Sequence, residues 1–324
     1  RLLRAAMEEE WHKLRNAEWT YDDGEVHEKR YGVWDEEEVM EYDDAVALAN
    51  ERGEEWHFGH LHELCFEKGS ELEKEFRKWK GRVVFLGDNV RTQNYEVAVF
   101  SDLASQPATL EVSASADFYG LLPGNDTEVA DATQAYIQAR LKGTTTMVHI
   151  PKHRWPDKWH KEGKRRPVCK LNLALYGHPQ SGAFWEEHAA ERLISENWLT
   201  IEGWPSCYWH KELKAFMVLY VDDFKISGPK SRMKEAWESV MRHIVIDAPT
   251  KMRTFLGCGY LPIMYTPPRK KKVKVVAAPG GDDVDDYAAS CCPAGAGTHV
   301  TGASTVTPVI ETVGAPGADG LDVI

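Results

Sequence analysis

The segment Phe216-Met217-Val218-Leu219-Tyr220-Val221-Asp222-Asp223-Phe224-Lys225-Ile226 sets two adjacent carboxylates between β-prone apolar runs. That pattern predicts a hairpin with the acids at its tip. Successive side chains on a strand point to opposite faces, so the two acids cannot be equivalent and one should meet a ligand more directly. A third acid, Asp131, closes the apolar-flanked run Glu128-Val129-Ala130-Asp131-Ala132. Phosphoryl transfer with two divalent cations requires several carboxylates, brought from separate strands, because each ion takes hard oxygen ligands and the two must sit a few ångströms apart. Aspartate in a turn is also commonplace, so spacing alone leaves both readings open.

The elements that must position these acids are readable in outline. Arg82-Val83-Val84-Phe85-Leu86 is a short strand closed by the turn cluster Gly87-Asp88-Asn89, and 144–150 reads as another. Helices are expected over 2–16, 36–52, 71–79, 100–115, 134–141 and 230–243. The clearest helix follows Gln180-Ser181-Gly182: Trp185, Ala189 and Leu193 recur at helical spacing, Phe184 and Ile194 widen the apolar face, and Ser181 could cap it. Residues 207–210, 215–221 and 224–227 read as neighbouring strands, with one more near 253–258.

Composition bounds the function classes. The 324 residues are 43% hydrophobic, enough for a buried core. No apolar run approaches the ~18–20 residues of a membrane span, and the N-terminus lacks a signal-peptide pattern, so an intracellular protein without membrane partners is expected. Arg1 stands where a start methionine would, which suggests a piece of a longer product. Six scattered cysteines lack ligand-pair spacing; His60-x-His62-x-x-Cys65 is the nearest approach to a metal cluster and reads as polar residues along a helix or loop. The net charge of -12 is awkward for a nucleic-acid enzyme, but residues 1–80 hold 23 Asp and Glu against 12 Lys and Arg. By contrast, 152–170 holds eight Lys or Arg and two acids, interleaved with Trp155 and Trp159: either a solvated basic loop or a surface facing nucleic acid.

The segment from Lys170 to Trp185, Lys-Leu-Asn-Leu-Ala-Leu-Tyr-Gly-His-Pro-Gln-Ser-Gly-Ala-Phe-Trp, followed by Leu219-Tyr220-Val221-Asp222-Asp223, resembles the reverse transcriptase of copia-type LTR retrotransposons. Asp131-Ala-Thr-Gln-Ala-Tyr136 is similar to that family's Asp-x-x-x-Ala-Phe block. Lys80-Gly-Arg82-Val-Val is similar to its Lys-Ala-Arg-Leu-Val block, and Phe255-Leu256-Gly257-Cys258 to its Phe-Leu-Gly block. Five blocks in the family's order cover about 78–260; residues 1–77 match only faintly.

The resemblance implies an α+β fold of reverse-transcriptase-like palm and fingers, an antiparallel sheet carrying the acids on one face and helices on the other, with the thumb missing or degenerate. It places fingers and palm over 78–262, while composition reads 1–77 as an acidic, partly helical extension and 263–324 as a disordered low-complexity tail. Asp131, Asp222 and Asp223 match the metal-binding aspartates, Asp131 and Asp222 being the more direct ligands of Mg²⁺ or Mn²⁺. Tyr136 matches the aromatic gate against a ribose 2′-hydroxyl, Gln180 a contact to the incoming nucleotide, and Lys80 and Arg82 the finger cations on its triphosphate. Tyr220, Val221, Phe255, Leu256 and Gly257 would meet primer and template. The implied activity is RNA-directed DNA synthesis from dNTPs on an RNA or DNA template-primer, the integrase and RNase H of the parent polyprotein being absent from this sequence. A decayed, non-catalytic nucleic-acid-binding remnant, or another metal-dependent phosphotransferase or nuclease, remains an alternative.

Overall fold

The computed structural model describes residues 2–22, 27–71, 73–100 and 107–261; the expected C-terminal tail over 263–324 lies outside them. The chain divides into two compact units, Arg1–Met252 and Arg253–Ile324. Among the described residues no helix is long and apolar enough to cross a membrane.

The first unit opens with α1 (Leu2–Arg15) and the hairpin β1 (Glu18–Asp22) and β2 (His27–Tyr31). There follow β3 (Met40–Glu41), α2 (Tyr42–Arg52), β4 (His57–Lys68), β5 (Lys78–Phe85) and β6 (Arg91–Thr92). Next come α3 (Leu110–Gly120), β7 (Asn125–Asp131), β8 (Thr146–His149), α4 (Asp157–Lys161) and β9 (Pro167–Lys170). The unit continues through α5 (Ser181–Ser195), β10 (Trp198–Ile201), β11 (Trp204–His210), β12 (Ala215–Tyr220), β13 (Asp223–Pro229), α6 (Met233–Met241) and β14 (Thr250–Lys251). In the second unit, β15 (Thr254–Phe255) and β16 (Cys258–Gly259) form a small hairpin.

Two sheets organise the first unit. One is wholly antiparallel, in the order β10-β11-β12-β13-β7-β14. The other runs β3-β9-β8-β4-β5, with β6 also on β4, and contains one parallel pairing, β4 with β8. The whole is a mixed α+β architecture.

Helices cover both faces of the antiparallel sheet, which corrects the expectation of helices on one face. Phe216 and Val218 pack under α3 with Val112 and Ala116, whereas Met217 and Leu219 pack with Trp185 of α5 and Trp237 of α6. The cause is visible in β12: Ala215 to Leu219 are all buried, and a strand apolar on both sides must be covered on both. In α5, Phe184, Trp185, Ala189 and Leu193 are buried as the stripe predicts; Ile194 faces solvent. Ser181 is the first residue of α5 rather than its cap. Its hydroxyl donates to the Leu175 carbonyl (2.7 Å) and accepts from the Leu175 amide (2.9 Å), locking the turn before the helix.

The expected boundary at 77/78 falls within the mixed sheet, where β4 and β5 pair from Leu61↔Phe85 to Lys68↔Lys78. Helix α1 joins the same core: Met7, Trp11 and Leu14 pack with Val83, Phe85, Leu171 and Trp159. Helix and strand approach so closely at Gly81 that a Cβ there would lie 2.7 Å from the Ala6 carbonyl oxygen. Gly177 is similarly constrained, with φ +86° and a would-be Cβ 2.1 Å from the Phe85 carbonyl oxygen.

This packing also places the basic stretch. Trp159 is a core residue, and Trp155 donates its indole N–H to the Ile150 carbonyl (2.8 Å). Arg154 pairs with Glu8 and Glu63 (both 2.6 Å), Lys158 approaches Glu37 (4.0 Å), and the amides of Arg165 and Arg166 donate to the Glu41 carboxylate. Part of the acidic excess of the first 80 residues is therefore met by groups of 152–170, Glu8, Glu37, Glu41 and Glu63 among them.

Candidate active site

The Asp222-Asp223 hairpin forms as its sequence predicts. Tyr220 and Asp223 are the last paired residues of β12 and β13, leaving Val221-Asp222 as a two-residue turn. Val221 adopts φ +55°, an outlier for a β-branched residue that costs on the order of 1–3 kcal/mol. Two hydrogen bonds hold that turn in place. The Trp185 indole N–H donates to the Val221 carbonyl (2.6 Å), and the Ala132 amide donates to the Asp222 carbonyl (2.7 Å). Helix α5 thus fixes the turn from one side and the end of β7 from the other. Replacing Trp185 by Phe keeps most of the buried ring and deprives the Val221 carbonyl of its donor. A loss of about 1–3 kcal/mol is expected, read as a lower denaturation midpoint; an unchanged midpoint would show that the bond does not support the turn.

The register of β7 against β13 sets Asp131 directly opposite Asp223. Like charges at such a cross-strand position repel. Asp223 accordingly has its pKa raised from 3.8 to about 6, by burial first, then by the charges of Asp222 and Asp131, and by the hydrogen bond its protonated form makes to Asp131. Asp222 is half-buried at the tip and Asp131 is exposed.

Asp131 and Asp222 line a cleft of about 340 Å³ whose other walls come from β5, α1 and the segment after α6. Lys80 and Arg82 face into it from β5. Burial, reinforced by Arg82 and Lys68, lowers the pKa of the Lys80 ammonium, while Glu10 and Asp222 oppose that shift. Arg82 lies over the Tyr176 ring, 4.9 Å from its centroid. The structure therefore brings Asp131, Asp222, Lys80 and Arg82 together around one cleft, with Asp223 beside Asp131.

The other expected residues lie at varying removes. Tyr136 follows β7 in a short 3₁₀ turn, edge-on to Tyr176 at 4.6 Å, and its hydroxyl pKa is raised by burial and by the Asp222 charge. Tyr176, not Tyr136, forms the wall. Gln180 precedes α5 half-buried and is not among the lining residues. Tyr220 and Val221 belong to the Asp222-Asp223 hairpin itself. Phe255 pairs with Cys258 in the second unit, and Leu256 and Gly257 make its turn with φ of +50° and +76°, as a type I′ hairpin requires.

Two lining residues carried no signal in the sequence. Asp247 lies in an irregular segment, its amide donating to the Asp131 carbonyl (2.8 Å) and its carboxylate accepting from the Thr133 hydroxyl (3.1 Å). Glu10, in α1, is buried, and its carboxyl pKa is raised by that burial against the opposing charges of Arg82, Lys13 and Lys80.

The carboxylates suit Mg²⁺ or Mn²⁺ in donor type, and a bound cation would offset the burial and the repulsion that raise the Asp223 pKa to about 6. Among the described residues no three His, Cys, Asp or Glu side chains converge into a ready-made cage. The arrangement fits an ion held by one or two carboxylates, with water and substrate phosphate oxygens completing its shell, as is usual for Mg²⁺. No family model matches this chain, and no curated protein sequence matches it.

Proposed function

We propose that the chain carries the palm and fingers of a copia-type reverse transcriptase and adds dNTPs to a primer 3′-hydroxyl on an RNA or DNA template. The observation that carries this reading is the cleft itself. Carboxylates from two paired strands occupy one wall, and the cations Lys80 and Arg82 face them from a separate sheet. A triphosphate bridging the two walls would have its charge met by Lys80 and Arg82 while its reacting end lay at Asp131 and Asp222. Divalent cations bound there would lower the pKa of the attacking hydroxyl and offset charge on the leaving pyrophosphate. Asp131 and Asp222 would hold them, with Asp223 joining once deprotonated. Tyr176, braced by Tyr136, closes the side of the cleft where a sugar would rest.

Primer extension on an RNA template with Mg²⁺ or Mn²⁺ tests this reading, with the Asp222→Asn variant alongside. Extension by the parent and none by the variant is the expected result. Hydrolysis of nucleic acid without any need for dNTPs would instead identify a nuclease using the same carboxylates. Binding of primer–template without turnover would identify a non-catalytic remnant.

A further inference from the structure

Two buried histidines meet where β4 begins and where the chain turns into α5. His57, the first residue of β4, is 2% exposed, and His178, in the turn before α5, is 5% exposed. The Phe100 ring packs on both, its centroid 4.8 Å from that of His57 and 5.3 Å from that of His178. Phe85 of β5 lies 5.1 Å from His178. The turn is clamped to the same strand, since the Phe85 amide donates to the Tyr176 carbonyl (2.7 Å), and it is tied to α5 where the Ser181 amide donates to the His178 carbonyl (3.1 Å).

The neighbours of each ring assign its tautomer. His57 Nε2 faces the Glu55 carboxylate (3.1 Å), so Nε2 carries the proton and Nδ1 is a bare acceptor. His178 Nδ1 accepts from the Gln180 amide (3.3 Å), so its proton sits on Nε2, which is a donor. These remaining atoms, His57 Nδ1 and His178 Nε2, are buried and have no hydrogen-bond partner among the described residues. Either one costs free energy if left unmet in the interior. Together they are complementary: one water molecule can accept from His178 Nε2–H and donate to His57 Nδ1.

We propose that His57 and His178 form an acid-sensitive latch, joined through one bound water, that ties the start of β4 to the turn launching α5 only while both rings are neutral. A proton added to His57 must sit on Nδ1, where it takes the acceptor that the water needs. A proton added to His178 must also sit on Nδ1, where it meets the Gln180 amide N–H. Either proton places a charge beside the apolar Phe85 and Phe100 rings. The charged groups on the segments around the pair, Glu54, Glu55, Asp88, Arg91 and Glu96, are exposed, and His149 lies three residues along β8 from Thr146, the partner of His57. Burial first, and then the His57 charge, lower the pKa of His178 from 6.5 to about 4. The folded state thus resists a proton that the unfolded chain takes up below pH 6.5, so the latch holds fully above that pH and weakens progressively down to about 4. Opening it loosens the turn from which α5 is launched, and with α5 the Trp185 bond to the Val221 carbonyl. The latch does not depend on the polymerase reading, because tautomer and stability report it and activity does not.

Histidine-selective nitrogen NMR of the full chain at neutral pH should show both rings as Nε2–H tautomers; an Nδ1–H ring at either position overturns the inference. Urea denaturation supplies the second test. Between about pH 7.5 and about pH 5 the folding constant of the parent should fall about 30-fold more than that of His178→Gln, whose amide keeps a donor in place and takes up no proton. Equal falls in the two proteins would refute the acid sensitivity. At neutral pH, His178→Leu should lower the folding constant about tenfold by leaving the His57 acceptor unmet, and adding His57→Leu should recover most of that loss. Additive losses in the double variant would show that the two rings are not joined.

Discussion

Lys225→Met is expected to destabilise the chain by about 3–5 kcal/mol, among the largest effects of any single substitution away from the cleft. The Lys225 ammonium is completely buried, on the same face of β13 as Asp223 two residues earlier. It donates to the carboxylate of Asp117 (2.6 Å) and the hydroxyl of Ser113 (2.7 Å), both on α3. Methionine fills much of the same volume and leaves Asp117, itself 4% exposed, as a buried charge without its ammonium. Removing both charges tests that cause: Lys225→Met with Asp117→Leu should recover most of the loss, because an apolar pair can replace a buried ion pair at little cost. Urea denaturation of the parent, the single variant and the double variant decides the matter. A single variant as stable as the parent, or a double variant no better than the single, would refute the assignment.

Asp223→Asn is expected to move stability and activity in opposite directions. With its pKa raised from 3.8 to about 6, Asp223 keeps a proton in the folded state that it has lost in the unfolded state throughout that interval. Folding therefore carries no penalty from this group below pH 3.8, a growing penalty between 3.8 and about 6, and the full penalty above. The shift alone would correspond to about 3 kcal/mol; for a half-exposed group, screening reduces this to about 1–2 kcal/mol. Asparagine cannot ionise and can still donate to Asp131. The variant should gain about 1–2 kcal/mol over the parent at pH 8 and lose that advantage near pH 4, while primer extension is abolished. A stability difference independent of pH would show that the strand pair is not frustrated by charge.

Where local pattern and tertiary structure agree, the sequence was a sufficient guide. The Asp222-Asp223 hairpin, the stripe of α5 and the small Phe255–Cys258 hairpin each depend on neighbours within a few residues. Strand β4 is different. His60, His62 and Cys65, which suggest a helix or loop, lie on a twelve-residue strand whose α1-facing side carries Glu63 and Glu67 and whose open side carries Leu64 and Phe66. Each side mixes polar and apolar residues, with Leu61 and Cys65 beside the glutamates and His60, His62 and Lys68 beside Leu64 and Phe66, so no clean alternation announces the strand. Residues 71–79 fail as a helix for a related reason, because Lys78 and Trp79 are drawn into pairing with Lys68 and Glu67. The helix expected from 36 begins at Tyr42, since Met40 and Glu41 pair with β9. At the site, the three aspartates were legible as types and positions. The opposition of Asp131 to Asp223 was not, being a matter of register between distant strands, and neither were Glu10 and Asp247, which reach the cleft only through packing.

The pairing of β7 with β13 also has a consequence in time. Asp131 is synthesised 92 residues before the partner that faces it. At ~5–20 residues per second, that interval is about 5–20 s on the ribosome. Throughout it β7 has neither β13 nor β14 at its side, and its apolar positions must be sheltered by other means. The mixed sheet has comparable waits, since β3 pairs with β9 and β4 with β8, but its last strand, β9, ends at Lys170, before β13 begins. The chain should therefore finish its cation-bearing half first and assemble the carboxylate wall against it, so that slow translation between Lys170 and Asp223 would lengthen the life of an incomplete, aggregation-prone intermediate.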